Sequence, residues 1–520
     1  MNNNQFLTDW GLTLMVFLPL AGALVMLLVP REEEQAHKWV ALLASLAAAA
    51  FGIAVFADFD YGQTETLQFV VDERWIDVIS SRYSLGIDGL SVPLVALTLL
   101  VTPLCIIYSW NHLPEPRNAK AFLMLILVLH TGMLGTFVAQ DLILFFVFFE
   151  VVLLPMFFLI GVWGGEERQY ASLKFFLYTL FGSALMIVSF LALFFVTGAE
   201  TFSMTGLADR VASGEFDISR TTQILIFGGM FMGFGIKVPM FPFHTWLPDA
   251  HTQAPTVGSV ILAAILLKLG TYGFVRVALP ILPEAAIDWA PWIGLLAVVG
   301  IIYGALACLA QTDMKRLIAF SSVSHMGFTM LGISTLTDFG LNAAVMGMVA
   351  HGLITGMLFF VAGSVKDRYH TLEIKRLGGL LVQAPRLGWI FGFTAMASLG
   401  LPGLAGFWGE FPAILSAYDP GAGLNEATFR VYMVVAAVGT VFAAGYLLWL
   451  YQRTAFGTPT DEFVDDPVPD VTVPEWIAWV PMLVLILAIG IFPNIVFRVT
   501  DDQLTQVAEA VEETVSLNGG

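Results

Sequence analysis

The stretch Gly235-Ile236-Lys237-Val238-Pro239-Met240-Phe241-Pro242-Phe243-His244-Thr245-Trp246-Leu247-Pro248-Asp249-Ala250-His251, followed by an apolar run that carries Lys268, decides how the whole chain reads. Both lysines lie inside runs otherwise apolar enough to cross a bilayer. A cation at mid-bilayer costs about 2.5 to 3.5 kcal/mol on insertion scales, so such residues usually face a bundle interior or a water-filled path. Pro239 and Pro242 remove backbone donors and push Val238 and Phe241 out of the α region. The carbonyls this frees are tolerated at membrane depth only where the backbone is buried in protein or lines a cavity. The stretch therefore predicts a broken helix, near 237–242, that lines an ion path.

With 520 residues, 58% hydrophobic and 12% charged, the chain carries about half the charge of a typical soluble protein. It reads as an all-α polytopic membrane protein. A hydrocarbon core about 30 Å thick needs about 20 apolar residues per helix, and the sequence supplies about fourteen such segments. They fall near Trp10–Val29, Lys38–Ala57, Ile87–Trp110, Ala119–Val138, Asp141–Trp163, Tyr170–Val196, Gln223–Phe241 and Thr256–Val277. The remaining six are Trp289–Ala310, Leu317–Leu336, Asn342–Val365, Trp389–Ala417, Val431–Tyr451 and Pro474–Ile495. The N-terminus has no Lys or Arg before the first apolar run, the reverse of a secretory signal peptide, so that run is expected to be retained.

The net charge of −18 argues against nucleic acid as a partner and leaves the lipid bilayer as the main surroundings. The acids cluster at Asp461–Asp470 and Asp501–Glu513, which read as solvated loop and tail. Cys105 and Cys308 both lie in spans, which excludes a disulfide framework and a cysteine-ligated cluster. The chain has no GxGxxG after a strand, no Walker A and no CxxC, so no cofactor is expected in it.

The second interruption, Leu399-Gly400-Leu401-Pro402-Gly403 followed by Glu410 and Pro412, lies five spans after the first. Interrupted spans in matching positions of two halves point to inverted repeats with a transport site between them. The division is 1–118, peripheral helices; 119–280, repeat one; 288–456, repeat two, broken near 399–412; and 457–520, a loop, the last helix and a tail. Thirteen Lys and Arg, Lys315 and Arg316 among them, fall on one side of this layout and seven, including Arg276, on the other. The first side is thus cytoplasmic and both termini are on the non-cytoplasmic side.

Helix rise sets depth. Glu150 lies nine residues beyond Asp141, about 14 Å at about 1.5 Å per residue. Lys268, His130, His325 and His351 fall at similar depth in other spans. Groups at one level can pass protons through water in the membrane plane. Burial disfavours the charged forms of lysine and glutamate whereas pairing favours both, so making or breaking a Glu150 to Lys237 pair would switch whether the lysine holds its proton. The rival is a permanent brace, weak because buried pairs are seldom net stabilising. For each histidine a relay role competes with a side chain satisfied by a neighbouring carbonyl. His244 and His251 read as loop anchors or as proton entry, and no cluster completes a metal site around them. Lys174 reads as snorkelling toward the interface or as tuning the Glu150 pair.

The run from Gly235 to Lys268, with Asp313-Met314-Lys315-Arg316-Leu317-Ile318-Ala319-Phe320-Ser321-Ser322-Val323-Ser324-His325-Met326-Gly327, resembles the antiporter-like membrane subunits of respiratory complex I (NADH:quinone oxidoreductase). Multisubunit Na⁺/H⁺ antiporters and membrane-bound hydrogenases share this signature and are the alternative. Gly409-Glu410-Phe411 places a glutamate where most such subunits have lysine, similar to the type called M in bacteria and 4 in mitochondria and plastids. The chain also stops too soon after its last span for the long lateral helix of the distal subunit. The resemblance implies fourteen helices with inverted repeats of five and a hydrated axis through Glu150, Lys237, Lys268, His325, His351 and Glu410. It also implies proton translocation in a bacterial plasma membrane, driven by FMN, iron-sulfur and quinone chemistry on other subunits, with further antiporter-like subunits as neighbours.

Overall fold

The computed structural model describes residues 3–198, 200–215, 218–465 and 468–518. Among them, twelve helices are long and apolar enough to cross a membrane. The two expected spans missing from that number are the ones with internal breaks. Arg220–Lys237 stops at Lys237 and resumes as Trp246–Gln253, and Pro385–Ser398 stops before Leu399 and resumes as Ala405–Ser416. Sequence punctuation thus translated directly into interrupted helices, as missing donors and positive-φ glycines require. Gly400 and Gly403 take φ of 78° and 92°.

Among the described residues, three helices have an 18-residue stretch that is buried throughout: Thr256–Ile281, Met314–Ser334 and Asp338–Tyr369. They carry Lys268, His325 and His351 respectively. A stretch enclosed on every side offers no face to lipid, and Lys268, His325 and His351 all lie in such stretches and are buried. Around them, outer helices such as Glu34–Asp58 and Glu426–Ala455 expose Leu43, Ile53, Val434 and Val441. The buried Lys268 helix is not a regular α-helix. Leu262–Leu266 and Phe274–Ala278 are π-helical and flank the α-helical Leu267–Gly273. Such segments shift the register of side chains and release carbonyls.

The segment between the second and third spans forms an antiparallel hairpin, Gln68–Ile76 with Ser81–Ile87. Asp141 ties this hairpin to the helix Leu142–Val151 by capping Ile143 and Leu144 while accepting from Ser81 Oγ and the Arg82 N–H. The tail is not simply solvated: Asn494–Asn518 is a helix that buries Leu504, Val507 and Val511, and Asp501 accepts from Asn342 Nδ2 at 2.9 Å. Finally, Lys315 and Arg276, counted as loop cations, are both buried.

Candidate functional site

The first break is sealed rather than open. Trp246 Nε1 donates to the Ile236 carbonyl at 2.9 Å, and the Met240 N–H donates to the Gly235 carbonyl at 2.9 Å. Two freed acceptors are thereby satisfied, which holds Lys237 at the end of its helix. Its ammonium is buried with no hydrogen-bond partner and lies 4.5 Å above the Phe149 ring. Glu150, the next residue along from Phe149, faces it together with Ser183. One Glu150 oxygen is buried without a partner, and no ion pair closes between the two residues. Two complementary charges held near each other but unjoined suit a switch better than a brace, since a brace would make the contact.

Lys268 sits close to this break because of Gly270. A Cβ there would lie 2.6 Å from the Phe234 carbonyl oxygen and 3.1 Å from Lys237 Cβ, so only glycine lets the two helices approach this far. Lys268 Nζ donates to the Ala263 carbonyl at 2.5 Å, an acceptor supplied by the π-helical turn, and lies 2.6 Å from His351 Nδ1. One proton can therefore pass between amine and imidazole without movement of either backbone. Lysine donates to Nδ1 in one state, and Nδ1–H donates to the neutral amine in the other.

His351 and His325 face each other with ring centroids 6.1 Å apart. A cavity of about 20 Å³ lies between His325, His351, Thr329, Ser398 and Glu410, room for about one water molecule. His325 Nδ1 is 2.5 Å from Glu410 Oε1, and its Nε2 is 3.2 Å from both Ser398 Oγ and Tyr446 OH. A carboxylate on one nitrogen and rotatable hydroxyls on the other allow the ring to be neutral or charged in place. Glu410 reaches this position because its helix meets the His351 helix glycine against glycine. A Cβ on Gly409 would lie 2.5 Å from Gly347 Cα.

The remaining candidates part from this line. Lys174 Nζ pairs with Asp249 Oδ2 at 2.7 Å, with both side chains partly exposed. Asp249 also draws Arg316 to 3.5 Å. Sequence reasoning passed over Asp249 because its partner is 75 residues away. His244 is packed among Phe241, Tyr303 and Phe320, and His251 stacks on Phe359 with centroids 4.4 Å apart. Both rings, and that of His130, are buried with neither nitrogen bonded. The carbonyl partner that competes with a relay role is thus absent for His130. Ser398 and Tyr446 are likewise additions, with no signal in their own segments to separate them from ordinary helix residues.

A file of Lys, His and Glu inside a bundle of apolar helices defines a membrane subunit of the antiporter-like, proton-transferring class. A family model described as NADH:quinone oxidoreductase/Mrp antiporter, TM, matches residues 139–440, and one described as NADH-ubiquinone oxidoreductase chain 4, amino terminus, matches residues 66–136. NADH-quinone oxidoreductase subunit M of Rhodobacter capsulatus is 41% identical over 494 residues, covering 93% of this chain and 94% of that one. NAD(P)H-quinone oxidoreductase chain 4 1 of Synechococcus elongatus is 41% identical over 519 residues, covering 99% and 94%. A chain of respiratory complex I from Thermus thermophilus superposes with a TM-score of 0.84 at 28% identity, covering 96% of this chain and 99% of that one. A chain of the Mrp complex from Dietzia sp. superposes at 0.82 but is 22% identical and only 52% covered, a likeness of fold. The chain belongs to the NADH:quinone oxidoreductase/Mrp antiporter membrane family, as an antiporter-like membrane subunit of respiratory complex I homologous to subunit M and chain 4. It is a multi-pass, proton-translocating subunit whose redox chemistry occurs elsewhere in the complex.

Proposed function

We propose that protons move within the membrane along Glu150, Lys237, Lys268, His351, His325 and Glu410, in a chain that crosses the bilayer fourteen times. The two interrupted segments count as crossings on this reading, and 119–280 and 288–456 form two inverted units of five, flanked by 1–118 and 457–520. Both termini lie on the non-cytoplasmic side of a bacterial plasma membrane, as the Lys and Arg distribution argues. FMN, iron-sulfur and quinone chemistry on partner subunits supplies the energy. Further antiporter-like subunits are neighbours in the same bilayer.

The observation that carries the reading is the pair of direct contacts, 2.6 Å from Lys268 to His351 and 2.5 Å from His325 to Glu410, separated only by a water-sized cavity. Glu150 controls whether Lys237 holds its proton. Lys268 takes it up across the Gly270 contact, and Glu410 loads or releases at the far end. Lys268→Met and Glu410→Gln, each in an assembled complex, test this through NADH-driven proton pumping in vesicles. Pumping should fall severely while NADH oxidation with an artificial acceptor stays intact. A normal proton gradient in either variant removes that residue from the path.

A further inference from the structure

Two further buried lysines lie off this axis, Lys38, which pairs with Glu34, and Lys315. Lys315 is 3% exposed, yet it has no carboxylate partner among the described residues; its Nζ donates to the Ala254 carbonyl at 2.5 Å. It forms part of the wall of a cavity of about 470 Å³, together with His112, Glu115, Gln253, Lys366 and Asp367. Glu115, Lys366 and Asp367 are exposed at the mouth, so the cavity opens to solvent and Lys315 lies at its inner end. At the rim His112 Nε2 is 3.7 Å from Asp367 Oδ2, and Tyr108 OH donates to the same oxygen at 3.3 Å.

The carbonyl that holds Lys315 caps the helix Trp246–Gln253, and three residues before it on that helix stands His251. The His251 ring is fully buried with both nitrogens unbonded. Lys315 and Lys268 both act on it electrostatically, and it acts in turn on His351. The charged groups around Lys315 itself are Lys366, Asp313 and Asp367. An ammonium in the wall of a solvent-open vestibule, held only by a neutral carbonyl one helical turn from an unsatisfied imidazole, is an unfavourable arrangement for a purely structural group.

We propose that this vestibule is a proton port and that Lys315 passes protons between it and His251, joining the buried axis at Lys268 and His351. The Lys315 ammonium gives a proton to a His251 nitrogen through intervening water, and the resulting amine regains one from vestibule water. Transfer in the other direction reverses both steps. The inference rests on the proposed axis and adds its connection to solvent.

The alternative for Lys315 is a fixed cation that caps a helix C-terminus. Lys315→Arg separates the two, because a guanidinium keeps the charge and can donate to Ala254 but does not release its proton. In the assembled complex, Lys315→Arg should lower NADH-driven proton pumping about tenfold or more, as Lys315→Met does. Lys315→His should restore part of the rate with a pH profile displaced toward the imidazole range. Wild-type pumping in Lys315→Arg, or a Lys315→His profile identical to wild type, overturns the port. Should Lys268→Met also pump normally, it is the axis that fails. Loss in Lys268→Met beside a normal Lys315→Arg defeats the port alone.

Discussion

Trp246 holds the break at Lys237, and replacing it by Phe tests whether a sealed break matters to function. The substitution retains an aromatic ring for the contact with Phe175, now 5.3 Å between centroids, but removes the N–H that serves the Ile236 carbonyl. Leaving a buried acceptor unsatisfied costs about 1 to 3 kcal/mol, which at about 1.4 kcal/mol per tenfold is about a 5- to 140-fold loss in the stability of the local structure. Lys237, one residue past Ile236, would then sample positions away from Glu150 and Lys268. In Trp246→Phe, amide hydrogen exchange across Ile236 to Leu247 should speed up within that range, and proton pumping per NADH should fall. Trp289→Phe is the control. It loses an equivalent bond to the Ile224 carbonyl at the far end of the same helix and should leave the break protected. Native exchange and full pumping in Trp246→Phe would refute the argument that this hydrogen bond sets the position of Lys237.

Other outcomes follow from the same geometry. Glu150→Gln and Lys237→Met should each cut NADH-driven pumping severely in an assembled complex, and unchanged pumping in both would reduce the pair to packing. Asp249→Asn removes the Lys174 partner at a partly exposed site; thermal stability should change by less than about 1 kcal/mol with pumping retained, and a collapse of pumping would bring Lys174 into the path. Glu462, outside the spans, is held below the usual carboxylate range by the Arg376 guanidinium. Its contribution is therefore present above the ordinary glutamate range and is lost as pH falls through its lowered value. Protection of the loop amides near 460, relative to their intrinsic exchange rate at each pH, should fall in acid in the native protein and show no such fall in Glu462→Gln.

Much of the fold was legible in the order of residues because lipid imposes a simple rule. Backbone polar groups must be satisfied within the segment, so apolar length marks helices, and proline and glycine mark where they fail. The breaks after Lys237 and before Leu399 follow from that rule alone. The common depth of Glu150, Lys268, His325 and His351 follows from counting residues. The hairpin between 68 and 87 lay outside this reading because its pairing with Asp141 joins segments about 60 residues apart.

What the chain's sequence determined by itself is that Lys237, Lys268, His325 and His351 lie inside long apolar runs, since insertion energy is a local property of each segment. Which of them touch was decided only in three dimensions. Lys268 meets His351 across 83 residues and His325 meets Glu410 across 85, because Gly352, whose Cβ would lie 2.8 Å from the Ala264 carbonyl oxygen, and Gly409 let their helices close on each other. The same packing gave Lys174 to Asp249, left Glu150 and Lys237 near but unjoined, and turned Lys315 from a loop cation into a buried one at the end of a vestibule. Contacts of this kind depend on the shape of several helices at once, and no single segment carries that information.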